Sequence, residues 1–479
     1  FAGERHLTSK QIRTLQRWAS AGAPPGDLSR LPRPPSFPEG WFLGKPDLVI
    51  SMPVPFELPA EGRDVYRNFV VPIPLEQRKF VRAVELKAAN PRVVHHAFLF
   101  IDSTGDARRL DLKDERPGFD GMNPGRGAGS PGGHFLSWQP GTVPTPEPVG
   151  TQWELQPHND AVLQMHMRPS GKPESVTAEI GFYFTEAPPT RFPLRLLLRS
   201  TAIDIPPGER NYVIESSYRL PVAIQILAVL PHAHYLGHRL EAWADLPDGS
   251  RKMILNIPEW DFDWQDHYQF AQPLSLPKGA MLRMRYSYDN SASNPHNADT
   301  DLRRVQFGEQ TSDEMGELWL QVLTTNPAER PVLEADYMRN WAIPDTIARA
   351  RVLLERNPDD AETRANLGAV LVMTGQLDAA LAELKRALQS DPDSARAHSH
   401  LGQIYLQRQD ATAARREFEK VLALDPDDFK ARNNLGYILL VTGDPSAAAA
   451  HFERVLAQHP EEALARKNLE RARAMIRTK

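Results

Sequence analysis

Between about Gly40 and about Thr325 the apolar residues fall in short runs. Examples are "NFVVPIP", "VRAVELKA", "HHAFLFID", "AVLQMHM", "RLLLRSTAI", "IQILAVLPHAH", "MLRMRYSYD" and "ELWLQVLTT". They are rich in Val, Ile, Leu and aromatics, and Pro, Gly and Asn clusters separate them. Many short strands with turn signals and almost no helical period predict all-β sandwich or barrel structure. The span is too long for one sandwich. "TEAPPTRFP" (185–193) is the expected boundary, giving two tandem all-β sandwich domains, 40–188 and 189–330.

The pattern changes at both ends. Residues 8–22 have Ile12, Leu15 and Trp18 at helical spacing behind Thr8 as N-cap, and Gly22 and two prolines close the run. One amphipathic helix is expected there, followed by an extended Pro-rich linker, "LPRPPSFPEG". Together they form an N-terminal piece, 1–39. At the other end Pro358, Pro392, Pro426 and Pro460 recur every 34 residues, as do Leu367, Leu401, Leu435 and Leu469. That period is the tetratricopeptide repeat's. Small residues at Gly368, Ala380, Ala414 and Ala448 would let paired helices approach closely, and the prolines are expected to mark helix starts. Residues 346–479 are therefore expected to form an all-α solenoid of three repeats. A capping helix would run from Glu461 to about Ile476, and the concave surface would take a partner protein.

Composition narrows the chemistry. Hydrophobic residues at 41% and charged residues at 24% describe a globular chain, and a net charge of −5 excludes the broad basic surface of a nucleic-acid binder. No run of 18 apolar residues predicts a transmembrane helix. The absence of cysteine excludes disulfides, thiolate zinc sites, iron–sulfur clusters and thiol nucleophiles. A metal would need His, Met, Asp or Glu. The chain begins at Phe1 without Met or a visible signal peptide, which reads as a fragment or a processed form.

Three histidine spacings in the β region bear on a metal. In "LPHAHYLGH", His232 and His234 share a strand face and can reach one ion; the alternative is a polar strand end near a turn, with His238 on the surface. In "VVHHAFLF", His95 and His96 would face opposite ways on a regular strand, so sharing an ion requires a strand end or a bulge. His166, between two methionines in "LQMHM", is a soft-metal ligand or a core residue. "WDFDWQDHYQF" (260–270) reads as a strand–turn with aromatics in the core, or as the rim of a cleft. His134 and His296 are expected to be non-ligands.

Taken in order, "VVHHAFLF", "LQMHM", "LPHAHYLG" and "QTSDEMGELWLQVL" resemble the copper type II, ascorbate-dependent monooxygenases. That family includes peptidylglycine alpha-hydroxylating monooxygenase and dopamine beta-monooxygenase. The resemblance covers about residues 40–330. It implies jelly-roll-like sandwiches holding two copper ions, one per domain, with a substrate cleft between them. His95, His96 and His166 would hold the electron-transfer copper. His232, His234 and Met315 would hold the catalytic copper, where O2 is activated. The implied reaction hydroxylates a C–H bond with O2 and a one-electron donor such as ascorbate. Imidazoles suit a copper that cycles between two oxidation states, and a thioether favours Cu(I). Bacterial origin and a periplasmic or extracellular location are implied too.

The chain also departs from the family. It has no cysteines. Leu230 stands where the peptide-amidating enzyme carries an arginine, and Trp319 replaces a tyrosine. These departures argue against peptide amidation and leave the substrate open. The rival reading is a non-catalytic copper-binding or electron-relay module whose repeats dock a partner; in a third, the β domains only scaffold the repeats. "LTSKQIRTLQRWASAGAPPGD" resembles the last helix of a c-type cytochrome domain. Its haem-attaching motif is absent here, so a haem c would belong to a segment upstream of Phe1.

Overall fold

The structure, a computed structural model, describes every residue except 3–6, 32, 34–39, 126, 298–301, 309, 311 and 478–479. The expected Pro-rich linker lies mostly outside the described residues. Two compact units divide the chain, Phe1–Tyr337 and Met338–Lys479.

The first unit is strand-rich. Its first half contains β1 (Leu48–Ser51), β2 (Val65–Pro72), β3 (Lys79–Ala88), β4 (Val94–Asp102), β5 (Trp153–Leu155), β6 (Asp160–Met167) and β7 (Ala178–Thr185). One sheet runs β1-β7-β3-β5; a second has β2-β6-β4 at its centre, with short strands outside. Their shared core takes Ile50, Val81, Ile180 and Phe182 from one sheet and Phe69, Leu99, Leu163 and Met165 from the other. Every residue of β6 is buried. Leu163, Met165 and Met167 enter the core, so period two turns Gln164 and His166 to the opposite face.

The second half contains β8 (Leu194–Arg199), β9 (Tyr212–Arg219), β10 (Ile224–Ala233), β11 (Gly237–Asp245), β12 (Arg251–Ile257), β13 (Tyr268–Leu276), β14 (Met281–Tyr288) and β15 (Gly316–Thr324). They form two sheets, β8-β15-β10-β13 and β9-β14-β11-β12. The expected boundary falls between β7 and β8, where the chain changes sheets. The halves nevertheless belong to one compact unit. The stretch before β5 reaches across: Arg195 Nη1 donates to Ser130 Oγ at 3.1 Å, and the His134–Glu147 pair (2.7 Å) meets Gln321 of β15. A Cβ on Gly133, at φ +81°, would lie 2.8 Å from the Pro193 carbonyl oxygen.

The N-terminal helix α1 (Ser9–Ser20) forms where its pattern predicts, and Thr8 and Gln11 make a capping box. All its residues are exposed. Beyond β15, Asn326 caps a short turn that leads into a helix the pattern did not predict, α2 (Arg330–Tyr337). Tyr337 Oη accepts from the Leu197 amide at 2.7 Å, and Tyr218 Oη donates to Asp336 at 2.8 Å.

The second unit is helical: α3 (Ile343–Arg356), then α4 (Ala361–Met373) with α5 (Leu377–Ser390), α6 (Ala395–Gln407) with α7 (Ala411–Leu424), α8 (Phe429–Val441) with α9 (Pro445–Gln458), and α10 (Ala463–Arg477). The 34-residue leucines are buried, and Ala380, Ala414 and Ala448 are wholly enclosed. A Cβ on Gly402 would meet the Phe418 ring at 2.7 Å, so the helix pairs are close because that position is glycine. The prolines do not start helices. Pro358, Pro392 and Pro426 each lie two residues before a capping Asp360, Ser394 or Asp428, whose side chain accepts an N-terminal amide. Among the described residues no helix is long and apolar enough to cross a membrane.

Candidate metal centre

The backbone register makes the first cluster. In the β4–β6 ladder His96 pairs with His166, but the next residue of β6, Met167, pairs with Val94. His95 is the extra residue of a bulge, which removes the strict alternation that would point His95 and His96 apart. One ring nitrogen from each of His95, His96 and His166 lies within 4.8 Å of the others. The Nδ1 atoms of His95 and His96 are 3.1 Å apart.

The surroundings assign the nitrogens. Asp64 Oδ2 lies 2.7 Å from His166 Nε2, and Tyr66 stacks on that ring at 4.2 Å. His166 Nδ1 is buried with no hydrogen-bond partner. A carboxylate on one nitrogen and an open second nitrogen is the arrangement of a metal-binding imidazole. Burial, then the His166 charge, pushes the His95 pKa down to about 4. The same causes hold His96 well below its ordinary value. The His95 and His96 rings are therefore neutral at pH 7, the form that binds metals.

The second pair lies at the end of β10. His232 and His234 have ring centroids 5.1 Å apart. Gln265 Oε1 is 2.6 Å from His232 Nδ1, and the Asp313 carbonyl oxygen is 3.0 Å from His234 Nδ1. Both oxygens are acceptors, so each ring carries its proton on Nδ1 and presents Nε2 as the free donor atom. Burial lowers the pKa of both histidines, that of His234 to about 3. Glu317 pairs with His232 and Gly316 with Ala233; the next residues along the two strands are Met315 and His234. Met315 is half-buried. Tyr288 Oη donates to its carbonyl at 2.8 Å. Glu314 accepts amides from His234, Leu236 and Met315, and burial pushes its carboxyl up to about 8. It ties the Met315 backbone to that of His234.

Residues 260–267 connect the two sites. The core reading of this stretch holds for Trp260 and Phe262, which are buried. Phe262 also stacks on His95 at 4.5 Å and meets His234 edge-on at 5.9 Å. The sum of those separations bounds the His95–His234 centroid distance at about 10.4 Å. Trp260 Nε1 donates to the His234 carbonyl at 3.2 Å, and Asp263 Oδ1 lies 3.4 Å from His95 Nε2. Gln265 holds His232 while its amide donates to the Phe262 carbonyl at 2.9 Å. The packed acids, amide and aromatics of "WDFDWQDH" were the signal.

His238 is exposed, as expected for a non-ligand. His134 sits in the bridge between the β halves, and His296 lies in a turn. Leu230 is opposite Trp319 in the β10–β15 ladder, and the Arg195 guanidinium lies over the Trp319 ring at 5.3 Å. A cavity of about 1150 Å³ is walled by β3, the 140–148 segment, Gln269 and Gln321. None of the six candidate ligands lines it.

The helical unit has the clearest relatives. Segments 345–395, 367–429 and 399–463 match the family model described as tetratricopeptide repeat, so the C-terminal part of the chain is a tetratricopeptide array. Among solved structures, the MamA protein is 21% identical over 30% of this chain and 77% of its own, with a TM-score of 0.27. YrrB, described as a tetratricopeptide protein with an unusual peptide-binding site, is 25% identical over 25% of this chain and 62% of its own, with a TM-score of 0.24. No curated protein matches the chain.

Proposed function

We propose that the chain is a copper-dependent monooxygenase that hydroxylates a C–H bond using O2 and a one-electron donor such as ascorbate. The observation that carries this reading is the bulge at His95, which gathers three imidazoles, with the Nδ1 of His166 left unpartnered. An all-imidazole set with a nearby thioether suits copper better than the oxygen-loving cations. In this reading His95, His96 and His166 hold one ion, and His232, His234 and Met315 hold the other. Copper supplies one-electron transfer and oxygen activation. The remaining work falls to the chain: Asp64, Gln265 and the Asp313 carbonyl orient the rings, and Phe262 keeps water from the space between His95 and His234. We read each pair of sheets as a jelly-roll-like sandwich carrying one site, and the repeats as a platform for a partner protein. Export to the periplasm or beyond belongs to the same reading.

Phe262 also favours a second reading. A ring in contact with one histidine of each site suits an electron relay with no substrate cleft. Copper-loaded chain, ascorbate and a panel of C–H substrates separate the two. Oxygen uptake matched by hydroxylated product supports the monooxygenase; ascorbate consumption that never yields product contradicts it and leaves the relay.

A further inference from the structure

The repeats carry one side-chain device in register. Arg364, His398, Arg432 and Arg466 lie 34 residues apart. Each donates to the carbonyl of the proline six residues earlier: Arg364 Nε to Pro358 at 2.9 Å, His398 Nε2 to Pro392 at 3.0 Å, and Arg432 and Arg466 to Pro426 and Pro460. In the first two repeats the same side chain also pairs with a glutamate nineteen positions on. Arg364 Nη1 meets Glu383 at 2.6 Å, and His398 Nδ1 meets Glu417 at 2.7 Å.

The third repeat breaks the series. Nineteen positions after Arg432 stands His451. Arg432 is 7% exposed, and its Nε is buried without a partner; so is His451 Nδ1. Burial and then the charges of Arg432, Arg454 and Arg415 lower the His451 pKa. Asp427 offsets part of the charge around Arg432, but its carboxylate is also bonded to Gln458. Arg415 has its own partner, Glu419, at 2.7 Å. The third repeat therefore keeps the buried cation and lacks the carboxylate that its two neighbours supply internally.

We propose that this repeat takes a carboxylate from an acidic segment of a partner chain, held by Arg432 and His451 where the preceding repeats hold Glu383 and Glu417. Those two glutamate side chains are 21% and 14% exposed, and His451, which holds their position in the third repeat, is half-buried, so a carboxylate would approach from the solvent side of its ring. Carboxylate is the expected ligand because it fills the position twice in the same array, and because a guanidinium fork matches its two oxygens. This site is independent of the copper reading.

The test titrates the full chain into fluorescein-labelled hexaglutamate, with hexaglutamine and inorganic phosphate as comparison probes. His451→Glu restores an internal carboxylate. It should weaken hexaglutamate binding by about ten-fold or more while leaving the melting temperature equal or higher. Arg454→Gln, at an exposed position, should weaken binding in the same direction without disturbing the core. Loss in both variants, with hexaglutamine unbound, supports the site. Equal affinity in either variant, no binding of hexaglutamate by the unsubstituted chain, or binding of phosphate alone overturns it.

Discussion

The two histidine clusters bring their imidazoles together by different backbones. His232 and His234 use a regular strand end, where alternation alone puts both rings on one side. His95, His96 and His166 need two strands and a bulge. The orientation devices differ as well. A carboxylate holds His166 by Nε2 and leaves Nδ1, whereas an amide and a backbone carbonyl hold His232 and His234 by Nδ1 and leave Nε2. The lesson is that ligand identity is only half of such a site; the atom on the far side of each ring decides which nitrogen is offered.

That difference can be broken one site at a time. The largest effect is expected from Gln265→Leu and Asp64→Asn. The first removes an orienting acceptor and the second an orienting charge, so each should weaken copper binding about 10–100-fold at its own site. Gln265→Leu should spare the first site and Asp64→Asn the second, as competition against a chromogenic chelator would show. Equal losses at both sites would mean that residues 260–267 couple them into one unit.

A second effect concerns acid. In the fold His95 and His234 hold pKa values of about 4 and about 3, against 6.5 for an unperturbed histidine. Between pH 6.5 and about 4 the unfolded chain therefore binds more protons than the folded one. Stability of the copper-free β unit should be full above pH 6.5 and decline as pH falls through that window. Thermal melts across it provide the measurement, and His234→Gln should flatten the decline.

A smaller effect separates the two units. Gly402→Ala puts a methyl against the Phe418 ring and should cost about 1–3 kcal/mol in the helical unit's stability. Copper stoichiometry should not change. If copper binding falls with it, the two units are not energetically independent.

What could be read ahead of the structure follows the same division. The 34-residue period exposes the array because each repeat obeys local rules. Its prolines were misplaced because a capping Asp or Ser, two residues later, starts each helix. The His232–His234 pair is legible from period two. The His95–His96 pair is not, because its bulge exists only in the pairing with β6. The roles of Phe262 and Gln265 depend on a loop that touches residues from both β halves. No local pattern encodes that meeting. Helix α2 went unread because it is short and anchored mainly by Tyr337 and Asp336.

The central claim is two separate copper sites in one β unit, and copper stoichiometry tests it most directly. Copper per chain should be measured after equilibrium loading and removal of loosely held metal. The account predicts two ions for the unsubstituted protein, one for His166→Ala, one for the double variant His232→Ala/His234→Ala, and none for the triple combination. Fewer than two ions in the unsubstituted chain, or an unchanged count in either single-site variant, would contradict it.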